Sequence, residues 1–349
     1  MDLQSMKEKF EKLGELGKDD IRFYSVHEQP FRVYGLFYAD GKFRRLPEAV
    51  ARTAHETVLE HHAATAGGRV RFKTDSPYIA IAAKLPYVGK MAHFALTGSA
   101  GFDLYVKTEG VDHYVATLRP SFYITDSIVR AFDFGSREMR EITVHFPLYS
   151  EISELYFGLQ DGAAVTEAPP YAYEKPIVYY GHSITQGGCA SRPGNAYPSI
   201  LSRRLNVDHV NLGFSGGGRG EQTIVDYVAD LDMLALVMDY DHNAPTAEHL
   251  LNTHERIFRA VREKHPTLPV LMMTSTTMPR FSDDRAKRRE IIHSTYLHAK
   301  ERGDENVYFW DGAAFDAYHD YATVDGAHPN DYGFVVIADA LEPILRKFL

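Results

Sequence analysis

The sequence predicts an antiparallel β-sandwich followed by an α/β domain built on a parallel sheet. Before residue 175 the strong apolar segments alternate apolar and polar residues, whereas after it they are continuously apolar and separated by helical patterns. Alternation is typical of antiparallel sheets with one wet face, and continuous apolar strands are typical of parallel sheets covered on both faces. The Pro-containing stretch TEAPPYAYEKP lies where the pattern changes. We therefore place the boundary there, with a sandwich domain over 1–172 and a second domain over 173–349.

The first half contains the elements that a sandwich requires. The opening stretch MDLQSMKEKFEKLGELGK places its apolar residues near helical spacing and predicts a short amphipathic helix. A further helical segment is expected over LPEAVARTAHETVLEHHAA. The strand candidates of this half are RVRFKT, YIAIAAKL, GFDLYVKT, EITVHFPL and ELYFGLQ.

The second half alternates strands and helices. Helices are predicted over 246–265, 283–302 and 331–348. The strand candidates are PIVYYG, HVNLGF, MLALVMDY, PVLMMTS and NVYFW. Ligands of open parallel sheets bind at the carboxyl ends of the strands, so the residues that follow each strand are the functional candidates.

Composition narrows the class of protein. The chain has 349 residues, 44% of them hydrophobic, and a net charge of −9, which disfavours nucleic acid and anionic membranes as partners. A single cysteine, Cys189, excludes an internal disulfide and a cysteine-based metal site, and it fits a reducing compartment. No apolar core of a signal peptide stands at the N-terminus, and no apolar run approaches the ~20 residues of a membrane span. We expect a cytoplasmic protein without a membrane partner.

Polar residues follow several of the predicted strands. Ser183 follows the first parallel strand, Gly216 lies in NLGFSGGGRG after the second, and Asn243 lies in DYDHNAP after the third. Asp325 and His328 lie in VDGAHPN, just before the last helix. A serine hydrolase needs a nucleophile, a base, an orienting group for that base and donors for the oxyanion. The short Asp-x-x-His separation lets the carboxylate reach the imidazole within one local turn.

This order of motifs resembles the SGNH (GDSL-type) hydrolase superfamily over roughly residues 175–349. GFDLY, at 101–105, resembles the GxDLY signature of the N-terminal sandwich found in one branch of that superfamily. YYGHSITQGGCASRPGNAY is similar to the serine block of the same branch. The resemblance implies a three-layer, flavodoxin-like α/β domain preceded by a jelly-roll-like sandwich. It also implies a carboxylic ester hydrolase that needs no metal or organic cofactor.

The resemblance also assigns roles to residues. Ser183 is implied as the nucleophile, His328 as general base and later acid, and Asp325 as the group that fixes the tautomer of His328. The backbone N–H groups of Ser183 and Gly216 and the side-chain amide of Asn243 are implied as the oxyanion hole.

Two departures from the family pattern stand out. His182 stands where the superfamily has Asp, and DHNA replaces the usual Gly-x-Asn-Asp. We expect the first to matter little, because residue 182 should point away from the side chain of Ser183. The second leaves the geometry of the Asn243 loop open.

Each candidate has a structural alternative. Ser183 is also a plausible helix N-cap, Gly216 and Asn243 plausible turn residues, and Asp325 and His328 plausible loop residues. Arg219 is expected to orient a substrate hydroxyl or carboxylate, or else to form a surface salt bridge.

Two further motifs suggest other chemistry. GFSGG, at 213–217, formally matches the Gly-x-Ser-x-Gly nucleophile elbow, with Ser215 as the rival nucleophile. HETVLEHH does not supply a zinc motif, because Leu59 occupies the position of the second histidine.

The expected activity is hydrolysis of a short-chain acyl ester, first of all acetyl on a sugar. The acyl group and the sugar rest on analogy with superfamily members that carry sandwich domains. An acyltransferase that uses the same acyl-enzyme and a glycan-binding protein with a relict site are the alternatives. The partners expected are a small-molecule or oligosaccharide ester and, as an open alternative, a second copy of the chain.

Overall fold

The computed structural model describes residues 1–276 and 284–349. The chain divides into two compact units that are discontinuous in sequence. The first comprises Met1–Arg45, Ala63–Pro170 and Ser191–Gly194, and the second comprises Leu46–His62, Tyr171–Ala190 and Asn195–Leu349. The observed junction at 170/171 lies close to the predicted boundary, but each unit also takes a short segment from the other half of the sequence. In the part of the chain that the structure describes, no helix is long and apolar enough to cross a membrane.

The first 170 residues form short strands with a few helical turns. The predicted N-terminal helix is present and continues into a 3-10 turn over Glu11–Leu16. In chain order the elements are α1 (Leu3–Lys9), β1 (Ile21–Ser25), β2 (Arg32–Tyr34), β3 (Phe37–Ala39), β4 (Lys42–Arg44), α2 (Glu48–Ala51), α3 (Glu56–His61), β5 (Arg69–Thr74), β6 (Tyr78–Lys84), α4 (Leu96–Ser99), β7 (Phe102–Thr108), β8 (Val111–Leu118), β9 (Ser127–Asp133), β10 (Arg140–His145), β11 (Glu154–Gln160) and β12 (Val165–Thr166).

Besides the two-stranded β3-β4 sheet, the described residues of the first unit form two larger antiparallel sheets, as the alternation predicts. One has the order β1-β11-β6-β9, and the other has the order β12-β5-β10-β7-β8, with β2 also pairing with β5. Side chains from both sheets, such as Phe72, Leu104 and Phe157, share one apolar core. The N-terminal domain is therefore a β-sandwich.

The expectation of one wet face per sheet is wrong for the central strands. The outer face of the first sheet is covered by α1, whose Met6 packs with Phe10, Tyr78 and Ala82 in a second apolar cluster. The apolar residues of both strand faces are therefore buried, and β6 is buried along almost its whole length. Period-two alternation of small and large apolar residues does not by itself report exposure.

The outer face of the second sheet is polar yet also buried. Its side chains are Arg69, Arg71, Asp103, Thr143 and His145, none more than 3% exposed. Part of the cover comes from the segment Ser191–Gly194, whose Gly194 N–H donates to Asp103 Oδ2 at 2.9 Å. The aspartate of the GFDLY motif thus serves as a backbone anchor.

The second half forms the predicted α/β unit. All five predicted strands and the three predicted helices are present, although residue 283 lies outside the described residues. Four further helices, for which the sequence predicts no bounds, lie at Ser183–Gln186, Tyr197–Leu205, Gln222–Asp230 and His319–Ala322. In chain order the elements are β13 (Ile177–Gly181), α5 (Ser183–Gln186), α6 (Tyr197–Leu205), β14 (His209–Gly213), α7 (Gln222–Asp230), β15 (Ala235–Asp239), α8 (Ala247–Lys264), β16 (Val270–Met273), α9 (Arg285–Glu301), β17 (Val307–Trp310), α10 (His319–Ala322) and α11 (Asp331–Leu345).

The parallel sheet has the order β14-β13-β15-β16-β17. This is the flavodoxin-like order, in which the chain reverses its direction of travel beside the first strand. Val178 and Tyr180 face the apolar cluster that holds α7, α8 and α9. Tyr179, between them, meets Tyr197 of α6 edge to face, with ring centroids 5.7 Å apart. The strands are therefore covered on both faces, and the three-layer prediction is confirmed.

Two glycines let α5 begin immediately at the end of its strand. A Cβ at Gly181 would lie 2.1 Å from Thr185 Oγ1 and 2.3 Å from the carbonyl oxygen of Asp239. A Cβ at Gly213 would lie 2.3 Å from the backbone nitrogen of Gln186. Because real Cβ atoms do not approach so closely, both positions exclude any larger residue unless the backbone shifts.

We expect Gly181→Ala to destabilise the protein by about 1–3 kcal/mol, the usual penalty for overpacking a tight site. The measurement is the free energy of unfolding in urea. Gly14→Ala is the matched control, because a Cβ at Gly14 meets nothing within 4 Å. Equal stability of the two variants would contradict the close approach described here.

Candidate active site

Ser183, His328 and Asp325 meet at the carboxyl end of β13. Ser183 is the first residue of α5, and its Oγ lies 2.9 Å from His328 Nε2. Nδ1 of the same ring lies 2.9 Å from Asp325 Oδ2. The side chains of His328 and Asp325 are 25% and 35% exposed, so the group is open to a ligand. The three residues form a hydrogen-bonded relay of the kind found in serine hydrolases.

A closed loop before α11 places the carboxylate beside the imidazole. Thr323 and Pro329 form an isolated antiparallel bridge, and the N–H of Val324 donates to the carbonyl of His328 at 2.8 Å. Within the loop, Asp325 Oδ1 accepts the N–H of Ala327 at 3.0 Å and that of His328 at 2.7 Å. The Asp-x-x-His spacing therefore acts as expected, through a turn in which the carboxylate also binds the backbone.

The protonation states suit proton transfer from serine. Partial burial opposes ionisation of Asp325, but the hydrogen bonds from the backbone and ring of His328 and from Ala327 outweigh it and lower its pKa to about 2. An ionised Asp325 must accept from Nδ1–H, so the neutral ring keeps its lone pair on Nε2. That lone pair faces the hydroxyl of Ser183 and can take its proton.

The glycine-rich loop after β14 is held in shape by its own side chains. Gly216 has φ +67°, a conformation that glycine adopts without strain. Its carbonyl oxygen accepts hydrogen bonds from Nε and Nη2 of Arg219, at 3.1 and 2.9 Å. Arg219 thus binds the loop itself, and neither the predicted surface salt bridge nor a substrate contact is needed to explain its position.

Asn243 also binds this loop. Its amide nitrogen donates to the carbonyl of Phe214 at 2.9 Å and, by a shorter contact, to that of Gly217. Both amide protons are therefore used by the loop that carries Gly216. The oxyanion role of Asn243 stays a prediction, and the observed role is to brace the glycine loop.

Ser215, the rival nucleophile, has different surroundings. Its N–H donates to Gln186 Oε1 at 2.9 Å. Within the described residues, its hydroxyl makes no hydrogen bond to a histidine. The geometry therefore favours Ser183.

His182 makes contacts that were not predicted. It is buried, it accepts the N–H of Ile184 on Nδ1 at 3.2 Å, and its Nε2 lies 3.1 Å from Asp239 Oδ1. The structure gives residue 182 a local role that the sequence did not indicate, because its ring caps the helix turn that carries Ser183. Sequence reasoning missed Asp239 and Asp241 as its neighbours, although two acids at and just past the end of a buried strand are a signal of a polar site.

Cys189 also lies near the site, which the sequence did not indicate. Burial, and then the negative charge of Asp325, raise the pKa of its thiol to about 12. The thiol is therefore protonated and unreactive at neutral pH.

Comparisons with known proteins match both halves of the chain to family models. The family model of GDSL-like lipases and acylhydrolases matches residues 174–346, and the model of the GxDLY N-terminus of SGNH-hydrolase-type esterases matches residues 21–165. A search of curated protein sequences gives no match.

Solved structures share the whole architecture. A putative GDSL-like lipase from Bacteroides ovatus is 28% identical, with TM-score 0.85, over 94% of this chain and 98% of that one. A salicylyl-acyltransferase from a tetracycline biosynthetic pathway is 19% identical, with TM-score 0.76, over 95% of this chain and 98% of the acyltransferase. A family two carbohydrate esterase from Clostridium thermocellum, in complex with cellohexaose, is 13% identical, with TM-score 0.63, over 91% of this chain and 98% of the esterase. The last two likenesses show the fold alone.

We expect Asn243→Ala to lower turnover of p-nitrophenyl acetate by roughly a hundredfold, the usual cost of losing an oxyanion donor or its support. The exposed Asn252 of α8 supplies the control, Asn252→Ala, which should retain full turnover. A thermal melt shows whether either variant is unfolded. Unchanged turnover in a folded Asn243→Ala would remove Asn243 from the site.

Proposed function

The chain belongs to the GDSL-like lipase and acylhydrolase family, which makes it a carboxylic ester hydrolase, and we propose that it works through an acyl-enzyme on Ser183. The observation that supports this most is the continuous relay from Ser183 Oγ through the ring of His328 to Asp325, with both hydrogen bonds 2.9 Å long. A hydroxyl is a weak nucleophile until an adjacent base removes its proton, and the relay supplies that base.

In the proposed reaction Ser183 Oγ attacks the ester carbonyl while His328 Nε2 takes its proton. The oxyanion that forms is stabilised by the N–H groups of Ser183 and Gly216, with Asn243 holding the loop or donating directly. The imidazolium, stabilised by Asp325, returns its proton to the leaving alcohol as the tetrahedral intermediate collapses. Water then attacks the acyl-enzyme by the same steps, and the carboxylic acid leaves with Ser183 restored.

We propose a short acyl group, first of all acetyl, carried on a carbohydrate. Family two carbohydrate esterases have this architecture, and one of them is known in complex with cellohexaose. The partial exposure of the His328 and Asp325 side chains suits an ester displayed on a larger molecule. We also keep a cytoplasmic location in this proposal, for which the single, buried, free cysteine is the support.

Acyl transfer is the second candidate. A salicylyl-acyltransferase has the same architecture, and the first half of the reaction is the same for both functions. The difference is whether water or an acceptor alcohol attacks the acyl-enzyme. Glycan binding alone does not require the hydrogen-bonded relay of Ser183, His328 and Asp325, so the relay favours an enzyme.

We expect a fluorophosphonate probe to label Ser183, because only an activated serine attacks such a phosphonate rapidly. Ser183→Ala should lose labelling and esterase turnover, whereas Ser215→Ala should keep most of both. The labelled peptide is identified by mass spectrometry. Labelling at Ser215 instead would reassign the nucleophile.

We expect the protein to release acetate from acetylated oligosaccharides, and Ser183→Ala to release none. Acetate and deacetylated sugar are quantified by chromatography, with and without an unacetylated sugar as acceptor. Acyl transfer to the added sugar in preference to water would make the protein a transferase. Glycan binding without any turnover by the native protein would refute both activities.

A further inference from the structure

A buried group of ionisable side chains lies beneath the nucleophile and takes no part in the relay. It consists of His182, Asp239 and Asp241, which are 1%, 2% and 0% exposed. A ring nitrogen of the histidine and one oxygen of each carboxylate lie within 4.8 Å of one another. The three stand at or just past the carboxyl ends of the neighbouring strands β13 and β15. We call them the buried trio.

The hydrogen bonds of His182 define its protonation state. Nδ1 accepts the N–H of Ile184 at 3.2 Å, so Nδ1 carries no proton. The proton of the neutral ring is then on Nε2, which lies 3.1 Å from Asp239 Oδ1, at hydrogen-bond distance but off the ideal angle. A protonated Nε2 has no lone pair for a metal, so the trio is a proton site rather than a metal site.

The two carboxylates are not equivalent. Asp239 Oδ2 accepts the hydroxyls of Thr185 at 2.8 Å and Tyr197 at 3.2 Å, and these donors stabilise its charge. Asp241 Oδ2 accepts the N–H of Ser275 at 2.8 Å, whereas its Oδ1 is buried without a partner among the described residues. An ionised Asp241 would therefore be a poorly compensated buried charge, which is costly.

The cations nearby do not neutralise Asp241 directly. The guanidinium of Arg288 donates to the main-chain carbonyl of Asp241 at 2.7 Å, not to its carboxylate, and it also pairs with Asp284. The ring of His242 packs edge-on against that of His182, with centroids 4.6 Å apart. Burial, the largest cause, holds the pKa of His242 well below its usual range, so His242 is neutral.

The pKa values of Asp241 and His182 are both raised above their ordinary values. Burial raises the pKa of Asp241 to about 6. Burial lowers the pKa of His182, but the charge and hydrogen bond of Asp239 outweigh this and raise it overall. The trio therefore keeps one proton up to about pH 6. Because the pKa values of both Asp241 and His182 are raised, they do not by themselves locate this proton, and it is the bond from Ile184 to Nδ1 that assigns it to Asp241.

We propose that the buried trio holds one shared proton on Asp241, and that His182 is a positioning residue that supports Ser183 only while its Nδ1 carries no proton. In that state Nδ1 caps α5 one residue after Ser183, and Nε2–H anchors the ring to Asp239. If the proton moves to His182, Nδ1 becomes a donor that faces the N–H of Ile184, and the first turn of α5 loses its cap. The positioning role rests on the proposed function of Ser183, whereas the location of the proton does not.

A matched pair of substitutions separates the two nitrogens of His182. His182→Asn keeps an acceptor near the Nδ1 position and loses the donor to Asp239, whereas His182→Gln keeps a donor near Nε2 and loses the acceptor. We expect His182→Gln to react with the fluorophosphonate probe roughly tenfold or more slowly than His182→Asn, because small displacements of a nucleophile have large effects on rate. Equal rates in two folded variants would refute the positioning role.

The location of the proton is tested without activity. The ¹⁵N chemical shifts of histidine rings distinguish a neutral ring protonated on Nε2 from an imidazolium, and His182→Asn identifies the signal of His182. We expect the neutral Nε2–H form at about pH 5, where a histidine with the ordinary pKa of about 6.5 would be an imidazolium. An imidazolium there, or a tightly held divalent cation in the native mass spectrum, would overturn the proposal even if Ser183 is confirmed as the nucleophile.

Stability provides a second readout. Because the pKa of Asp241 in the folded protein is raised from 3.8 to about 6, its stabilising contribution is complete below about pH 4 and is lost as pH rises to about 6. Asp241→Asn mimics the protonated side chain, so its stability relative to the native protein should rise across this window. The exposed Asp232 supplies the control, Asp232→Asn, which should follow the native curve. Parallel curves for native protein and Asp241→Asn would place the proton elsewhere.

Discussion

The register of three neighbouring strands determines where the site forms. Gly181, the last residue of β13, pairs with Gly213 at the end of β14 and with Asp239 at the end of β15. The three strands therefore end at the same level, and the loops that follow them begin side by side. Because the glycines carry no Cβ, α5 starts directly above them, and its first residue can project toward the loop before α11. The relay, the glycine loop and the buried trio all depend on this common edge.

Much of this arrangement was predictable from the sequence. Continuous apolar strands separated by helical periods predict a parallel sheet, and the positions of polar residues after the strands predict the edge at which they meet. Asp325 and His328 were predictable as a pair because a three-residue spacing limits how the side chains can meet. Short helices such as α5 and α10 were not predictable, since they depend on caps and tertiary contacts rather than on periodicity.

The hydrogen-bond partners of several site residues could not be predicted from the sequence. The sequence predicts a ligand contact for Asn243 and, as one of two alternatives, for Arg219, yet both donate to carbonyls of the loop around Gly216. The sequence does not indicate which carbonyl a side chain will meet. The same holds for His182, whose burial places it between a backbone N–H and a carboxylate. Such residues have roles that follow from the three-dimensional balance of donors, acceptors and charge.

The segment Leu46–His62 comes from the first half of the sequence but packs with the second half. Although it lies early in the chain, it belongs to the unit that contains the parallel sheet, where Leu46 and Val58 join the apolar cluster of α7 and α8. Val58 and Thr57 also border the glycines of the loop after β14. Cutting the chain near residue 170 would therefore not release an intact α/β fragment. During synthesis, a part of that unit leaves the ribosome more than a hundred residues before the strands it packs with, and it must wait for them.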